Sequence, residues 1–501
     1  MFTMKGRIVV IDLLLLVFFC SCGVLSNMIA ITQENKIYVI RKDWDLKGET
    51  MCLPKGCTLT FKGGSISNGT LIGNGTVIRM EQDEVVFNNV ILKGSFKAKK
   101  FPINAYNSNK LDYFYSFLEA FSGTNLYLTS NYCVSDYLGV SDCTTPQSIS
   151  IDGRGYKLTL YSFGAYKIKH CRLSNIVIEC RNNIDPKNKW KTDKFNFGVV
   201  GFFDSSILTF KNVSFSEETS FAYLRGFKSV EISDCREYGS YFFVYDCDNV
   251  RFCNNIIENA ERGYYSIGRQ TEHGQIEILN NTFRNISGGG IILSGGLKYN
   301  VKISENLLDH VGGGNAMKSC INIHPRGRIL VSDNRVVANI GASSLDIDAA
   351  SSEYFSEETT VTVKNNVIDV TEGDNSLHGM ALVGLAKLYF KKNRIINQRF
   401  SFWDTPYLEF TGNTVVFTME FDKEANIGAM TTHETTEKKE YQHYYKYNEF
   451  DIPPSEGTAI FNYQSKALVR IKGKRNRYSR PVEFIDQYDK IEASGDIQLY
   501  K

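Results

Sequence analysis

Eight segments of the chain repeat one short pattern: an apolar residue, any residue, an apolar residue, and then polar positions that usually end in Asn. The last polar position holds, in chain order, Cys235, Asn255, Asn281, Asn306, Asn334, Asn366, Asn393 and Asn413. The intervals between these positions range from 20 to 32 residues, which is too irregular for a helical repeat. Each unit restarts with a strand pattern of period two and a turn residue, which indicates a parallel β-solenoid.

The chemistry of Asn explains why it recurs at this position. Asn tolerates the left-handed backbone conformation that a sharp turn between strands needs. Its side-chain amide can also bond to the same group one coil above and below. We therefore expect stacked turns to form an Asn ladder.

The bulk composition supports an all-β chain and argues against nucleic acid as a partner. The 501 residues include 57 basic and 55 acidic residues, so no overall field attracts a polyanion. The 40 glycines, 33 phenylalanines and 28 tyrosines, against 9 prolines, suit a turn-rich β protein with stacked aromatic rings inside.

The first 22 residues have the pattern of a targeting segment. Lys5 and Arg7 precede an apolar run, Ile8 to Phe19, which is interrupted by Asp12 and is too short to span a bilayer. The segment resembles a bacterial lipoprotein signal, which implies lipidation of Cys22; a simple secretory signal is the alternative. We expect an exported protein of the cell envelope, anchored by lipid in the outer membrane or periplasm, with no other membrane contact.

The cysteines suggest a mixture of bridges and buried thiols. Cys52 with Cys57, and Cys133 with Cys143, are close enough in sequence to be disulfides in an oxidising compartment. Buried free thiols are expected in the strand-like runs at Cys171, Cys180, Cys235, Cys247, Cys253 and Cys320. The absence of a CxxC pair leaves a structural zinc site without support.

The chain divides into segments by pattern. After residues 1–22, we expect N-terminal β-helix coils over 37–110, a helix and loop insertion over 111–147, central β-helix coils over 148–418, a polar insert over 419–457, and C-terminal coils or a cap over 458–501. The helical spacing lies in Leu111 to Phe121.

A second strand lies upstream of the Asn-bearing strand in each central coil. Its alternate residues point outward. The predicted outward pairs are Tyr223 and Arg225, Phe243 and Tyr245, Ser266 and Gly268, Ile292 and Ser294, Asn322 and His324, Asp346 and Asp348, Ala381 and Val383, and Ser401 and Trp403. The outward face changes to polar and ionisable residues in two adjacent coils.

These two coils place four functional groups together. Neighbouring strands are ~4.8 Å apart and alternate residues on one strand ~6.6 Å apart, so Asn322 lies over Asp346 and His324 over Asp348. Two carboxylates beside a His can divide into an acid and a base for glycosidic bond cleavage. The same carboxylates could hold Ca²⁺ instead. The alternative is a solvated strand beside a turn that begins at His324.

The Asn repeat and the Gly- and Asn-punctuated strands from Gly56 to Ile78 resemble right-handed parallel β-helices of the pectin-lyase-like class. The resemblance implies a carbohydrate cleft over the strand that precedes the ladder. This class includes polysaccharide lyases, glycoside hydrolases, epimerases and non-catalytic adhesins, so it does not fix an activity. It implies a polysaccharide partner.

Specific catalytic motifs of the class do not match in order. Arg470 and Lys472 match the Arg-x-Lys of polygalacturonases, but the other elements are missing, so we interpret the pair as alternate residues of a late strand. Substrate contacts are predicted on the face and its turns, at Arg225, Tyr245, Arg269, Arg326 and Trp403.

The sequence therefore predicts an exported right-handed parallel β-helix that cleaves a glycan by hydrolysis or β-elimination. A glycan that contains uronic acid is one candidate substrate. Asp346 and Asp348 are the predicted acid/base pair or cation ligands, His324 the proton carrier or orienter, and Asn322 the positioner. The alternative is a non-catalytic glycan-binding or adhesin-like protein of the envelope. No cofactor is expected other than Ca²⁺.

Overall fold

The computed structural model describes residues 31–134, 148–160, 163–180, 200–203, 206–216, 221–268, 274–295, 298–313, 319–349, 359–371, 379–418, 429–434, 440–453, 460–480, 482 and 484–497. Within these residues the chain is a solenoid of parallel strands, with one α-helix and one short 3₁₀ helix, Ile103–Ala105. The Asn-bearing strands and the strands upstream of them stack coil upon coil, as the repeat predicted.

The upstream strands form one parallel sheet, the front sheet, which has 13 described strands. They are Phe163–Tyr166, Val200–Phe203, Phe221–Arg225, Tyr241–Tyr245, Tyr264–Ile267, Ile291–Ser294, Ser319–Ile323, Ser343–Asp348, Met380–Val383, Phe400–Trp403, Met430–Glu434, Phe461–Ser465 and Phe484–Asp486.

The Asn-bearing strands and the short strands after them form a second parallel sheet, the ladder sheet, with 28 described strands. They are Lys100–Pro102, Asn125–Tyr127, Tyr132–Cys133, Ser148–Asp152, Lys157–Leu160, His170–Cys180, Ile207–Phe215, Ser229–Ser233, Arg236–Tyr238, Asn249–Cys253, Ile256–Glu258, Gly274–Leu279, Thr282–Ile286, Lys298–Ser304, Leu307–Val311, Arg326–Ser332, Arg335–Ala338, Thr360–Lys364, Val367–Asp369, Lys387–Lys391, Arg394–Ile396, Tyr407–Thr411, Thr414–Val416, Tyr441–Lys446, Glu449–Asp451, Val469–Lys474, Arg477–Tyr478 and Ile491–Ser494.

The N-terminal strands form a smaller parallel sheet of Ile37–Ile40, Trp44–Asp45, Thr50–Cys52, Thr58–Phe61, Ile66–Met80, Phe87–Lys97 and Tyr106–Asn107. Helix α1, Leu111–Ala120, follows it. Its apolar spacing buries Phe114 and Phe117, and Phe117 stacks on Tyr106 at 4.7 Å between ring centroids. The helix is therefore held by aromatic packing on the N-terminal coils.

The ladder Asn side chains link successive coils through the interior. Asn281 Nδ2 donates to Asn306 Oδ1 at 2.9 Å and to the carbonyl of Phe252 at 3.0 Å, and the Asn281 backbone N–H also donates to Asn306 Oδ1. The same bonds recur along the column, which begins at Cys235 and extends beyond the sequence pattern to Asn448, Asn476 and finally Asp496.

The left-handed turn conformation belongs to a different residue from the one expected. It lies one position before each ladder Asn, for example at Asn254 with φ 58°, Asn280 with φ 53° and Glu305 with φ 62°. The ladder Asn itself faces inward and is buried. Its role is hydrogen bonding, because every inward-facing backbone group in the turn needs a partner.

The cysteine expectations divide into a correct set and an incorrect one. As predicted, Cys171, Cys180, Cys235, Cys247, Cys253 and Cys320 are buried and lie outside any disulfide, and burial raises the pKa of Cys180 to about 12. Cys52 and Cys57 are also free, so the predicted disulfide between them is wrong. Cys57 points into the core toward Thr76, whereas Cys52 is exposed. Cys133 is free, and Cys143 lies outside the described residues.

The signal segment, including Cys22, also lies outside the described residues. Among the residues that the structure describes, no helix is long and apolar enough to cross a membrane.

Candidate functional site

The outer face of the front sheet carries two columns of side chains. Strand register places Tyr223, Phe243, Tyr265, Ile292, Asn322, Asp346, Ala381, Ser401, Thr431 and Asn462 in the first column. The second column contains Arg225, Tyr245, Ile267 and Ser294, and continues with Asp348, Val383, Trp403, His433 and Gln464. Aromatic, acidic and mixed regions therefore follow one another along a single face.

One coil departs from the predicted register. Tyr265 and Ile267 face outward, whereas the sequence predicted Ser266 and Gly268 at these outward positions. Tyr264 is fully buried in the core and Ser266 is buried beside it. The sequence places two adjacent tyrosines at the start of this strand, so the alternation pattern fits either of two registers and the stacking on Phe242 and Phe243 decides.

The strands Ser319–Ile323 and Ser343–Asp348 bring the acidic cluster together. Asn322 is the register partner of Asp346, as predicted. His324 follows its strand directly, and its backbone N–H donates to the carbonyl of Leu293 at 2.8 Å. The His324 side chain and the Asp348 carboxylate are each close enough to Asp346 to affect the pKa of its carboxyl.

Asp346 is the most perturbed group of this cluster. Burial raises the pKa of the Asp346 carboxyl, and the Asp348 carboxylate adds to that rise. Three groups oppose the rise: the Ser319 hydroxyl, the Ala381 backbone N–H at 3.2 Å, and His324. The result is a carboxyl that keeps its proton to a higher pH than an ordinary Asp.

Two serines that the sequence did not point to hold this carboxyl. Ser343 Oγ donates to Ser319 Oγ at 3.1 Å, and Ser319 Oγ donates to Asp346 Oδ2. Ser319 and Ser343 are register partners at the first positions of adjacent strands. Serine at a strand start is too common to signal a site in sequence, so only the stacking identifies the pair.

Asn322 has unused hydrogen-bonding capacity. Its side chain is buried, and its Oδ1 atom has no hydrogen-bond partner among the described residues. A buried acceptor without a partner costs about 1–3 kcal/mol. It lies in the column next to Asp346.

The aromatic region lies on the N-terminal side of this cluster. Phe203, Tyr223, Phe243 and Tyr265 form a continuous row with ring-centroid spacings of 5.3, 5.0 and 4.8 Å. Two cations border the row: Arg225 lies 5.3 Å from the Tyr245 ring, and Arg262 lies 4.7 Å from that of Tyr265.

The predicted substrate-binding residues lie at different distances from the acids. Trp403 is two coils beyond Asp348, ~10 Å at ~4.8 Å per coil, and it stacks on His433 at 4.3 Å. Tyr245 and Arg225 share the face but lie four and five coils away, ~19 and ~24 Å. Neither can contact a sugar that is bound at Asp346.

The two remaining predicted cations are placed as follows. Arg326 begins the strand Arg326–Ser332 of the ladder sheet, so it lies around the corner from the front face, two residues after His324. Its Nε atom is buried without a hydrogen-bond partner among the described residues. Arg269 lies outside the described residues.

Calcium binding at Asp346 and Asp348 stays a prediction. The described residues contain no group of three or more His, Cys, Asp or Glu side chains able to hold a metal ion. Both oxygens of Asp346 already accept hydrogen bonds, and its raised pKa opposes the charged form that a hard cation requires.

Comparison with known proteins agrees with the fold. A family model described as a right handed beta helix region matches residues 147–308, about a third of the chain. No curated protein and no solved structure gives a significant match. Together with the long parallel sheets, the match shows a right-handed parallel β-helix. The matched segment ends before Asn322, so the acidic cluster lies in coils known only from their continuous register.

Proposed function

We propose that this right-handed parallel β-helix cleaves a polysaccharide that lies along the front sheet, by glycosidic hydrolysis at Asp346 and Asp348. The observation that carries the proposal is the raised pKa of the Asp346 carboxyl, two residues from a second Asp on the same face. A carboxyl that retains its proton can act as a general acid toward the leaving oxygen.

Asp348 would then act as the base or nucleophile. Alternate residues on a strand are ~6.6 Å apart at the backbone, which lies between the carboxyl separations of retaining and inverting enzymes. His324 would orient the reacting groups, and Asn322, the register partner of Asp346, would help to position the sugar. β-Elimination would instead require a base at the sugar carbon, for which His324 is the candidate.

The test uses purified protein with a panel of uronic-acid and neutral polysaccharides. Reducing ends report hydrolysis and elimination together, and ultraviolet absorbance of unsaturated products reports elimination alone. We expect Asp346→Asn and Asp348→Asn each to lower kcat by at least about 100-fold while binding persists. Asp333→Asn is the matched control, because Asp333 is an exposed turn residue of the ladder sheet.

The outcomes separate the hypotheses. Reducing ends without unsaturated product, lost in both site variants and kept in Asp333→Asn, supports hydrolysis. Product formation that neither site substitution affects would place the site elsewhere. If the wild type binds a glycan but forms no product, the second candidate function applies, which is glycan binding without turnover.

The second candidate is glycan binding without turnover, which the aromatic row favours. Tyr245 and Tyr265 are half-buried rings beside arginines, which suits them to stacking on sugars, and this function needs no acid/base pair. Tyr265→Ala would weaken binding in both cases, whereas only the enzyme loses activity with Asp346→Asn.

We also propose that the protein is exported and lipid-anchored through Cys22. The support is the sequence of residues 1–22 alone. Cys22→Ser should abolish incorporation of labelled fatty acid and release the protein from membranes. Unchanged membrane association of this variant would refute the anchor.

A further inference from the structure

The outer face of the ladder sheet carries a second distinctive surface. It lies on a different sheet from the acidic cluster and differs from it in chemical character. Five consecutive coils contribute three outward positions each. The three columns read Thr360, Lys387, Tyr407, Gln442 and Arg470; Thr362, Tyr389, Glu409, Tyr444 and Lys472; and Lys364, Lys391, Thr411, Lys446 and Lys474. We call these fifteen positions the tyrosine–lysine patch.

Positive charge is concentrated in this patch. Its fifteen positions include seven Lys or Arg residues and one carboxylate, Glu409. The same three columns in the five preceding coils hold three cations and two acids, and no tyrosine: Glu231, Arg251, Glu277, Lys302 and Arg328. Since the whole chain has a net charge of only +2, the patch is a local feature of the C-terminal half.

The three tyrosines form a zigzag over three successive coils. Ring centroids of Tyr389 and Tyr407 are 5.6 Å apart, and those of Tyr407 and Tyr444 are 5.7 Å apart. Lysine ammonium groups approach the same rings: Lys391 lies 4.7 Å from the Tyr389 centroid and Lys446 lies 4.8 Å from that of Tyr444. All three rings are half-buried, so one face or edge of each remains open.

Only part of the charge is neutralised within the protein. Lys391 pairs with Glu409 at 3.3 Å, and Arg470 pairs with Glu440 and Glu492 at the edge of the patch. The five other lysines form no ion pair with any residue that the structure describes: Lys364, Lys387, Lys446, Lys472 and Lys474.

We propose that the tyrosine–lysine patch binds an extended anionic polysaccharide, with carboxylate or sulfate groups on the lysines and sugar faces on the tyrosines. The patch is a flat strand surface that runs over four coil steps, ~19 Å, which suits an extended polymer. Alternating cations and rings at coil spacing match a chain that presents an apolar sugar face and a charged group in each repeat.

A glycan fits better than nucleic acid or an anionic membrane. The near-neutral whole chain lacks the broad positive field on which phosphate-backbone binding depends. A flat β-sheet face also lacks the protruding apolar residues that enter a lipid interface. This proposal rests on the proposed function in one respect, which is that the partner is a glycan. The positive charge of the patch adds that the preferred glycan is acidic.

The experiment measures binding of the full chain with the Asp346→Asn substitution, so that turnover at the front sheet cannot interfere. Probes are polygalacturonate, alginate and chondroitin sulfate, with dextran as neutral glycan, oligo-dT as nucleic acid, and phosphatidylglycerol vesicles. The test variant is Lys446→Gln with Lys472→Gln and Lys474→Gln. The matched control is Lys211→Gln with Lys302→Gln and Arg328→Gln, which removes equal charge from the same columns upstream.

We expect at least one acidic glycan to bind, and the test variant to weaken that binding about tenfold while the control changes it less than about twofold. Tyr407→Ala should weaken it about fivefold and leave the thermal unfolding midpoint of the protein within a few degrees. Rising salt should weaken binding of the wild type more than that of the test variant.

Three results would overturn the proposal. One is the absence of binding to every acidic glycan, and another is equal loss in test and control variants. The third is preferential binding of oligo-dT or vesicles that the test variant loses, which would assign the patch to another partner. An inactive front sheet with intact patch binding would reject the proposed hydrolysis and leave this inference standing.

Discussion

Removing one amide from the middle of the Asn ladder should destabilise the protein strongly. Asn334 Nδ2 donates to Asn366 Oδ1 at 2.9 Å and to the Ile303 carbonyl at 3.0 Å, and Asn334 Oδ1 accepts from both the backbone and the side chain of Asn306. Asn334→Ala deletes four bonds. In this variant Asn366 Oδ1 still accepts a hydrogen bond from the backbone N–H of residue 334, and Asn306 Nδ2 still donates to two backbone carbonyls.

The group left without a partner is the buried N–H of Asn306. An unsatisfied buried donor costs about 1–3 kcal/mol, and each further lost bond about 0.5–1.5 kcal/mol. We therefore expect Asn334→Ala to lower the free energy of unfolding by about 2.5–7.5 kcal/mol. Because coils of a solenoid can unfold locally, the loss should be concentrated in the coils that contain Asn306 and Asn366.

Urea unfolding followed by circular dichroism measures the global loss, and amide hydrogen exchange locates it. The matched control is Asn300→Ala, which makes the same chemical change at an exposed, outward position of an adjacent ladder-sheet strand and should stay within about 0.5 kcal/mol. If Asn334→Ala costs less than about 1 kcal/mol more than this control, the ladder does not carry the energy that its hydrogen bonds imply.

Three further predictions concern titratable groups. Burial raises the pKa of the Glu237 carboxyl well above its usual value, so the contribution of Glu237 to stability falls as pH rises above about 4.5. In urea titrations, Glu237→Gln should therefore be more stable than the wild type at pH 8, and this difference should shrink as the pH is lowered. A difference that is constant with pH would contradict this. His443 is buried between the Tyr463 hydroxyl and the Thr405 carbonyl, and burial lowers its pKa to about 4. The resulting stability is present above about pH 6.5 and is lost as pH falls toward 4, on the order of 3 kcal/mol, so thermal unfolding of His443→Gln should depend less on pH across this window. Ser319→Ala removes a hydrogen bond that favours the charged form of Asp346, so the carboxyl titration seen by ¹³C NMR should move to higher pH, and an unmoved titration would exclude the Ser319 bond.

Local sequence determined most of the solenoid. Apolar residues at alternate positions must face the interior, and a polar ladder residue must recur where each coil turns, so the phase of the Asn repeat also places the strand before it. That phase correctly predicted the register of Asn322 over Asp346, and of Val383 next to Trp403. The predicted register of Tyr264 and Tyr265 is wrong, because two adjacent tyrosines satisfy either register.

Tertiary structure decided the properties that depend on neighbouring coils. Ser319 and Ser343 are unremarkable in sequence, and only their stacking beside Asp346 makes them partners of its carboxyl. The ladder members Asn448 and Asn476 follow charged and aromatic residues that hide the pattern, yet the coil register includes them. The tyrosine–lysine patch likewise exists only through register, since partners on adjacent coils are 20 to 35 positions apart in sequence. A repeat fixes which side each residue faces, whereas the identity of its neighbours one coil away depends on the length of every intervening loop.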